Sequence, residues 1–337
     1  MERLDPVADE ARLRDCYELV ISGQEADDPN VPADSYRRFR SWWTQGFAGI
    51  PQQIWLATTA SGTLLGCYVL GLPDRDNLAN GFLRPTVAPS ARRQGVGTAL
   101  VAHAAEQAAA AGRKLLMSEA RVGAPGHAFA ESVGARPGLL EVRRILDVGP
   151  PLLASLAGLR AGAEQHSAGY SLRRWPGVTP DELVGPVCAL NNAMADAPHD
   201  EAVEPLVWDA DRVRTEDERA IAKGTRLYSV AALEAATGEA AALSQVFVDP
   251  DVAGWAFQGL TAVTREHRGH RLGLLVKVAM LEWLAEAEPQ LSQIETSNAS
   301  VNEHMIAVND KLGHRVSDVF QSFEMDVAAA KKLEVRR

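Results

Sequence analysis

Two stretches of the chain repeat one another at a constant offset of 176 residues. The first is Val87-Ala-Pro-Ser-Ala-Arg92-Arg93-Gln94-Gly95-Val96-Gly97-Thr98, and the second is Val263-Thr-Arg-Glu-His-Arg268-Gly269-His270-Arg271-Leu272-Gly273. Upstream, Ser61-Gly62 recurs as Thr237-Gly238 in the same register. A period this long is a duplicated domain, because solenoid units repeat every ~20–50 residues. At 337 residues the chain has room for about two domains, which agrees. The copies share little else, so the motif is what duplication chiefly preserved.

Hydrophobicity follows the same order twice. In the first half, strand-like runs at Gln53–Ala57, Leu64–Leu70 and Gly81–Val87 precede a helix opened at Gly95, with Leu100, Ala104 and Ala108 on one face. Lys114–Met117 reads as the next strand, Gly126–Val133 as a short helix and Val142–Val148 as the last strand. Pro150-Pro151 and the small, polar residues up to Gly169 read as a linker, giving domains at 1–150 and 169–337 joined by 151–168. In the second half, strands are expected at Arg226–Ala231, Ala241–Val248 and Ala256–Val263. A helix with Leu274, Val278, Leu281 and Ala285 on one face follows, then a strand at Gln293–Thr296 and a helix at Val301–Leu312.

Composition excludes several classes. No run of 18 apolar residues exists and the N-terminus lacks a signal-peptide stretch, which points to a cytoplasmic protein without membrane contact. Cys16, Cys67 and Cys188 have no CxxC spacing and read as packing residues, and no metal site is expected. A net charge of −10 argues against nucleic-acid partners. An acidic protein that binds a polyphosphate must place its arginines locally.

The repeated motif does this. Glycine and arginine at a helix start suit a diphosphate: first-turn N–H groups lack partners, the helix dipole favours an anion, and glycine permits close backbone approach. Arginine adds charge-assisted hydrogen bonds. Gly95-x-Gly97 with Glu119 resembles a dinucleotide fingerprint only superficially. Seven residues separate Val87 from Gly95, and Leu100 stands where a third glycine belongs. Neither half has the Gly-Lys-Ser/Thr of a phosphate loop.

At these residues the chain resembles the GCN5-related N-acetyltransferase (GNAT) superfamily, whose cradle is Arg/Gln-x-x-Gly-x-Gly/Ala after strand four. The first copy fits fully; the second has Arg271 at the middle glycine. The run His267–Gly273 followed by Lys277, and the pattern Asn298-x3-Asn302-x2-Met305-x3-Asn309-x3-Gly313, are similar to actinobacterial tandem members. Mycothiol synthase, a better-known tandem member, shows no close match. The resemblance implies an α/β fold of two tandem GNAT-like domains with mixed sheets. It also implies acetyl-CoA as acyl donor and direct attack by a small amine in a ternary complex, the protein being a monomer or homodimer.

The implied cofactor-binding residues are Val87, Arg92, Arg93, Gln94, Gly95, Val96, Gly97 and Thr98 in the first half. In the second they are Val263, Arg268, Gly269, His270, Arg271, Leu272, Gly273 and Asn302. The family's tyrosine acid would stand four residues before Gly134 or Gly313, where this chain has Ala130 and Asn309. No ready-made base is visible. Asn298, Asn309 and the acidic loop residues Asp196, His199 and Asp200 are the catalytic candidates, with Glu119 and Glu295 behind them as either bases or salt-bridge partners.

Two asparagines seven apart on a helix face, Asn302 and Asn309, together with the acidic loop Asp196–Glu201, assign transfer to the C-terminal half. Two function classes stay open, an N-acyltransferase and a non-catalytic acyl-CoA-binding protein. Aminoacyl transfer from tRNA is disfavoured by charge and by the intact cradles.

Overall fold

A computed structural model describes residues 1–46 and 50–334. The chain divides into two compact units. The first comprises Met1–Glu141, Asp200–Glu204 and Asp318–Arg337, and the second Val142–His199 and Pro205–Ser317.

The first unit is a mixed sheet flanked by helices. Its strands are β1 (Glu2–Leu4), β2 (Gln52–Thr58), β3 (Leu64–Gly71), β4 (Asn80–Val87) and β5 (Leu115–Arg121). β1 to β4 pair antiparallel in sequence order, and β4 pairs parallel with β5. Helices α1 (Glu10–Asp27) and α2 (Tyr36–Gln45) cover one face through Leu13, Cys16, Leu19, Phe39 and Trp43. On the other face α3 (Val96–Ala110) lays Leu100, Val101, Ala104 and Ala108 on Tyr68, Leu70 and Leu83. Alanine at spacing four keeps α3 close to the sheet. Helix α4 (Pro125–Ser132) follows β5, and β6 (Arg136–Asp147) runs on past the unit's boundary at Glu141.

The second unit repeats this order. After α5 (Pro150–Glu164), β7 (Tyr170–Pro176) leads to α6 (Asp181–Asn192) and α7 (Ala210–Ala222). Strands β8 (Arg226–Glu234), β9 (Ala240–Val248) and β10 (Trp255–Val263) pair antiparallel in turn, and β10 pairs parallel with β11 (Gln293–Ala299). Helix α8 (Leu272–Ala287) separates those two strands, and α9 (Glu303–Leu312) follows β11. From Leu274 through Leu281 every residue of α8 is buried, so this helix is covered on all sides and not along one stripe.

Two expectations change. The segment expected as a linker forms helix α5, because Pro150 and Pro151 occupy the first helical positions, where a missing N–H costs nothing. Leu152, Leu156 and Ala163 then join the core around α8. The last strand, β12 (Arg315–Asp326), pairs antiparallel with β5 from Phe320↔Arg121 to Asp326↔Leu115. It therefore completes the first unit's sheet, and α10 (Val327–Ala330) packs Val327 and Ala330 into the core around α3. Conversely, residues after Glu141 in β6 belong to the second unit, where Arg143 pairs with Glu295 at 3.0 Å. The compact units thus do not follow a boundary at residue 150.

Candidate active site

Both motifs adopt one backbone conformation. Positive φ occurs at Arg93 (62°) and Gly95 (81°) in the first copy, and at Gly269 (89°) and Arg271 (55°) in the second. These are the same positions at the 176-residue offset, with glycine and arginine exchanged. One glycine per copy therefore suffices, and Arg271 holds the left-handed geometry that the family pattern assigns to glycine. Gly95 and Arg271 are the N-caps of α3 and α8, and neither helix has a side-chain cap. By contrast Asp9, Ser35, Asp209 and Asn302 cap α1, α2, α7 and α9. The first intrahelical bonds are made by the N–H of Ala99 and Leu275. The N–H groups of 96–98 and 272–274 are thus presented at an uncapped positive helix end, which fits a diphosphate. A Cβ on Gly97 would stand 3.2 Å from the Phe129 ring, so this glycine also lets α4 approach α3.

Beside each loop the parallel strands part. β4 and β5 pair only from Asn80↔Leu115 to Phe82↔Met117, and β10 and β11 only from Trp255↔Gln293 to Phe257↔Glu295. Beyond these residues Leu83–Val87 and Gln258–Val263 run unpaired on that flank, opening a gap towards the cradle. Pro85 lies on this separated stretch, so its missing N–H breaks no β4–β5 bond. A bulge between Gln258 and Thr261 marks the corresponding place in β10.

The side chains divide the labour differently from the sequence expectation. Arg92 forms a bidentate pair with Asp27 at the end of α1, both bonds 2.8 Å, and bonds the Val87 carbonyl at 3.4 Å. Arg268 likewise reaches Asp196 at 3.2 Å, beside Arg265 at 3.1 Å. The first arginine of each motif therefore anchors its loop to the preceding helical segment. Arg93 is exposed, whereas Gln94 bonds the Ser90 carbonyl at 3.0 Å. In the second copy His270 and Arg271 turn to the carbonyls of His166 and Gly162 at the end of α5, at 3.2 and 3.3 Å. Replacing Arg92 by alanine is expected to cost about 1–2 kcal/mol of stability, with no further loss when Asp27→Ala is added. Urea unfolding of the three variants checks this.

The catalytic candidates are dispersed. Asp196 is the carboxylate partner of Arg265 and Arg268, and those guanidinium groups hold its pKa below the usual carboxylate value. This ion pair ties Asp196 to the loop of the second cradle. The acidic loop is not one element: Asp196 and an exposed His199 lie in the second unit, but Asp200 and Glu201 in the first. Asp200 accepts from the Leu139 N–H at 2.6 Å and from Ser322 Oγ at 3.0 Å. Gly138 admits it, since a Cβ there would fall 2.2 Å from the carboxylate.

Asn302 caps α9 by accepting from the Met305 N–H at 3.2 Å. Asn309 is fully buried, not surface-facing: its Oδ1 accepts from Lys277 Nζ and its Nδ2 donates to Asn298 Oδ1, each at 2.7 Å. Asn309 and Asn302 therefore share no exposed helix face, because one caps the helix and the other fills its inner side. Glu295 is paired with Arg143, the salt-bridge role considered for it.

Comparison with known proteins bears on these two cradles. The acetyltransferase (GNAT) family profile matches residues 12–134. A tandem GNAT protein from the clavulanic acid biosynthesis pathway is 28% identical, with TM-score 0.81 over 96% of this chain and 97% of that one. Along nearly its whole length the chain is similar to a tandem GNAT protein. A GCN5-related N-acetyltransferase from Sphaerobacter thermophilus, 16% identical, shares the fold with TM-score 0.67 over 97% of this chain and 95% of that chain. No curated protein matches by sequence.

GNAT proteins use acyl-CoA. Around the candidates already named, the structure adds Glu141, Lys277, His314, Glu234 and Glu239, which the sequence did not single out as site residues. In the first unit Glu119 on β5, Glu141 on β6 and Asp200 gather; partial desolvation of the exposed Glu141, with the charges of Glu119 and Asp200, raises its pKa. The second unit holds Lys277, whose pKa burial lowers to about 7. His314, 3.1 Å from the Asn309 carbonyl, is depressed to about 3, chiefly by burial and then by Lys277. Glu234, Glu239 and His267 bring ligand-type atoms within 4.8 Å of one another, and Tyr170 bonds His267 Nδ1 at 2.8 Å. This partly exposed trio is the one group of three or more His, Cys, Asp or Glu with such spacing among the described residues. No helix is long and apolar enough to cross a membrane.

Proposed function

We propose that the protein is an acyl-CoA-dependent N-acyltransferase, with acetyl-CoA as donor and a small amine as acceptor. The observation that carries this reading is the coincidence, in both units, of an uncapped helix N-terminus, two left-handed loop residues and a parted strand pair. Residues 93–98 and 269–274 would hold the pyrophosphate. Bound acyl-CoA supplies the acyl group as a thioester. The likeness to a tandem GNAT protein of a biosynthetic pathway favours a small-molecule acceptor.

The amine side belongs to the first unit in this reading. Assignment to the C-terminal half rested partly on the acidic loop, and Asp200 of that loop joins Glu119 and Glu141 in the first unit. Three carboxylates attract an ammonium and raise its local concentration. Glu141, with its elevated pKa, is the base that takes the amine proton. Glu141→Gln is expected to lower turnover ~10²-fold or more. In the wild type, activity falls with acid as Glu141 protonates, so that limb lies above the ordinary carboxylate value. Thiol release read with DTNB across a panel of amines and pH values checks both.

A second reading, acyl-CoA binding without transfer, draws on Ala130 and the buried Asn309 at the positions of the family's tyrosine acid. Calorimetric binding of acetyl-CoA with no thiol release for any amine would favour it.

A further inference from the structure

Lys277 is the most anomalous side chain in the second unit. It stands in α8 among Leu274, Leu275, Val276, Val278 and Ala279, all buried, and is itself only 2% exposed. Its single hydrogen-bond partner among the described residues is the neutral amide oxygen of Asn309. Burying a lysine on one neutral acceptor is costly. The first copy shows that the framework does not need it: Val101 stands 176 residues before Lys277, and Ala130 precedes Gly134 as Asn309 precedes Gly313. Both are apolar, and Val101 packs in the core there.

The chain of bonds has a direction. In its ammonium form Lys277 can only donate. In that form it holds the Asn309 oxygen inward, which turns Asn309 Nδ2 to the Asn298 oxygen and leaves Asn298 Nδ2 facing away from α9. Asn298 lies on β11 three residues past Glu295, the last residue paired with β10. It shares a strand face with Ile294, which packs in the core with Leu281 and Leu284 of α8. Asn298 is only partly buried, and no described residue accepts from its Nδ2.

We propose that Lys277 and Asn309 are positioning residues that hold the Asn298 amide in the gap between β10 and β11, where it donates to a carbonyl oxygen of the acylated pantetheine arm. This rests on the acyl-CoA reading above and deepens it: it gives the second unit its own recognition of the donor, built from residues the first unit lacks. Lys277 acts at one remove, because its amine is enclosed and only Asn298 meets the ligand.

Calorimetry of acetyl-CoA binding to the full chain tests the proposal, with the second unit's event identified by its loss in Gly273→Glu. Asn298→Ala and Lys277→Met should each weaken that event ~10-fold, and the double variant should be no weaker than either single one. Lys277→Gln, whose amide can donate to Asn309, should recover most of the affinity. A merely structural lysine would change the melting temperature of Lys277→Met and leave the affinity alone. Wild-type affinity in Lys277→Met, or multiplying effects of the two substitutions, overturns the proposal while the acyl-CoA reading stands. Failure of the wild type to bind acetyl-CoA in the second unit overturns both.

Discussion

Gly97→Glu and Gly273→Glu combined in one chain are expected to reduce acetyl-CoA binding at least ~100-fold, a loss of about 2.7 kcal/mol. Each substitution sets a carboxylate in the first turn of an uncapped helix, where its charge takes the place meant for a phosphate. The two sites differ in their steric demands. Around Gly273 the nearest atom to a new Cβ is Val263 Cγ2 at 3.6 Å, ordinary contact, so that substitution tests charge alone. At Gly97 the Phe129 ring stands at 3.2 Å and must give way, so α4 shifts as well. A melting curve beside the titration separates lost affinity from lost fold, and Gly273→Glu alone should melt as the wild type does.

Lys277→Met is expected to stabilise the second unit at pH 7 by roughly 2–4 kcal/mol. Folding moves this lysine from a pKa of 10.5 to about 7. A tenfold change in proton affinity corresponds to about 1.4 kcal/mol, so the full penalty approaches ~5 kcal/mol. The orphaned Asn309 oxygen returns about 1–3 kcal/mol of that gain. The sign follows from proton uptake. Between pH 7 and 10.5 the unfolded chain holds a proton that the folded chain lacks, so wild-type stability from this residue rises with pH across that window. Below pH 7 both states are protonated and the penalty is constant. The advantage of methionine should therefore be largest near neutrality and fade towards pH 10.5. Denaturant unfolding of both proteins at several pH values measures it; an advantage independent of pH would show that the lysine is already solvated in the folded state.

The cradles were legible because a local pattern encodes a local structure. Arg, Gly and the opening of an apolar helix mark a loop, and the offset of 176 pairs Arg93 with Gly269 and Gly95 with Arg271, the residues that take positive φ. Strand partners were not legible. Alternation in Val142–Val148 and in residues 315–326 marks strands but does not say which neighbour each pairs with. A signal existed in the second offset. Gly134 and Gly313 lie 179 apart, as do Asp147-Val148 and Asp326-Val327. That register extends the repeat through the last strand into a following helix, and so argues against a linker at Pro150. Burial of Lys277 was also readable. Leu272-Gly-Leu-Leu-Val-Lys-Val-Ala-Met-Leu281 is apolar around the whole helix, and a lysine at its centre has no exposed face to occupy. The carboxylate cluster of the first unit was not readable, because Asp200 comes from the other half of the sequence and enters only through the Gly138 gap.

A structure of the acetyl-CoA complex decides whether the cradles bind the donor. Pyrophosphate density is expected against the N–H groups of 93–98 and 269–274, with each pantetheine arm running into the gap past Phe82 or Phe257. Density at neither loop, with acetyl-CoA seated elsewhere on the chain, would contradict that expectation.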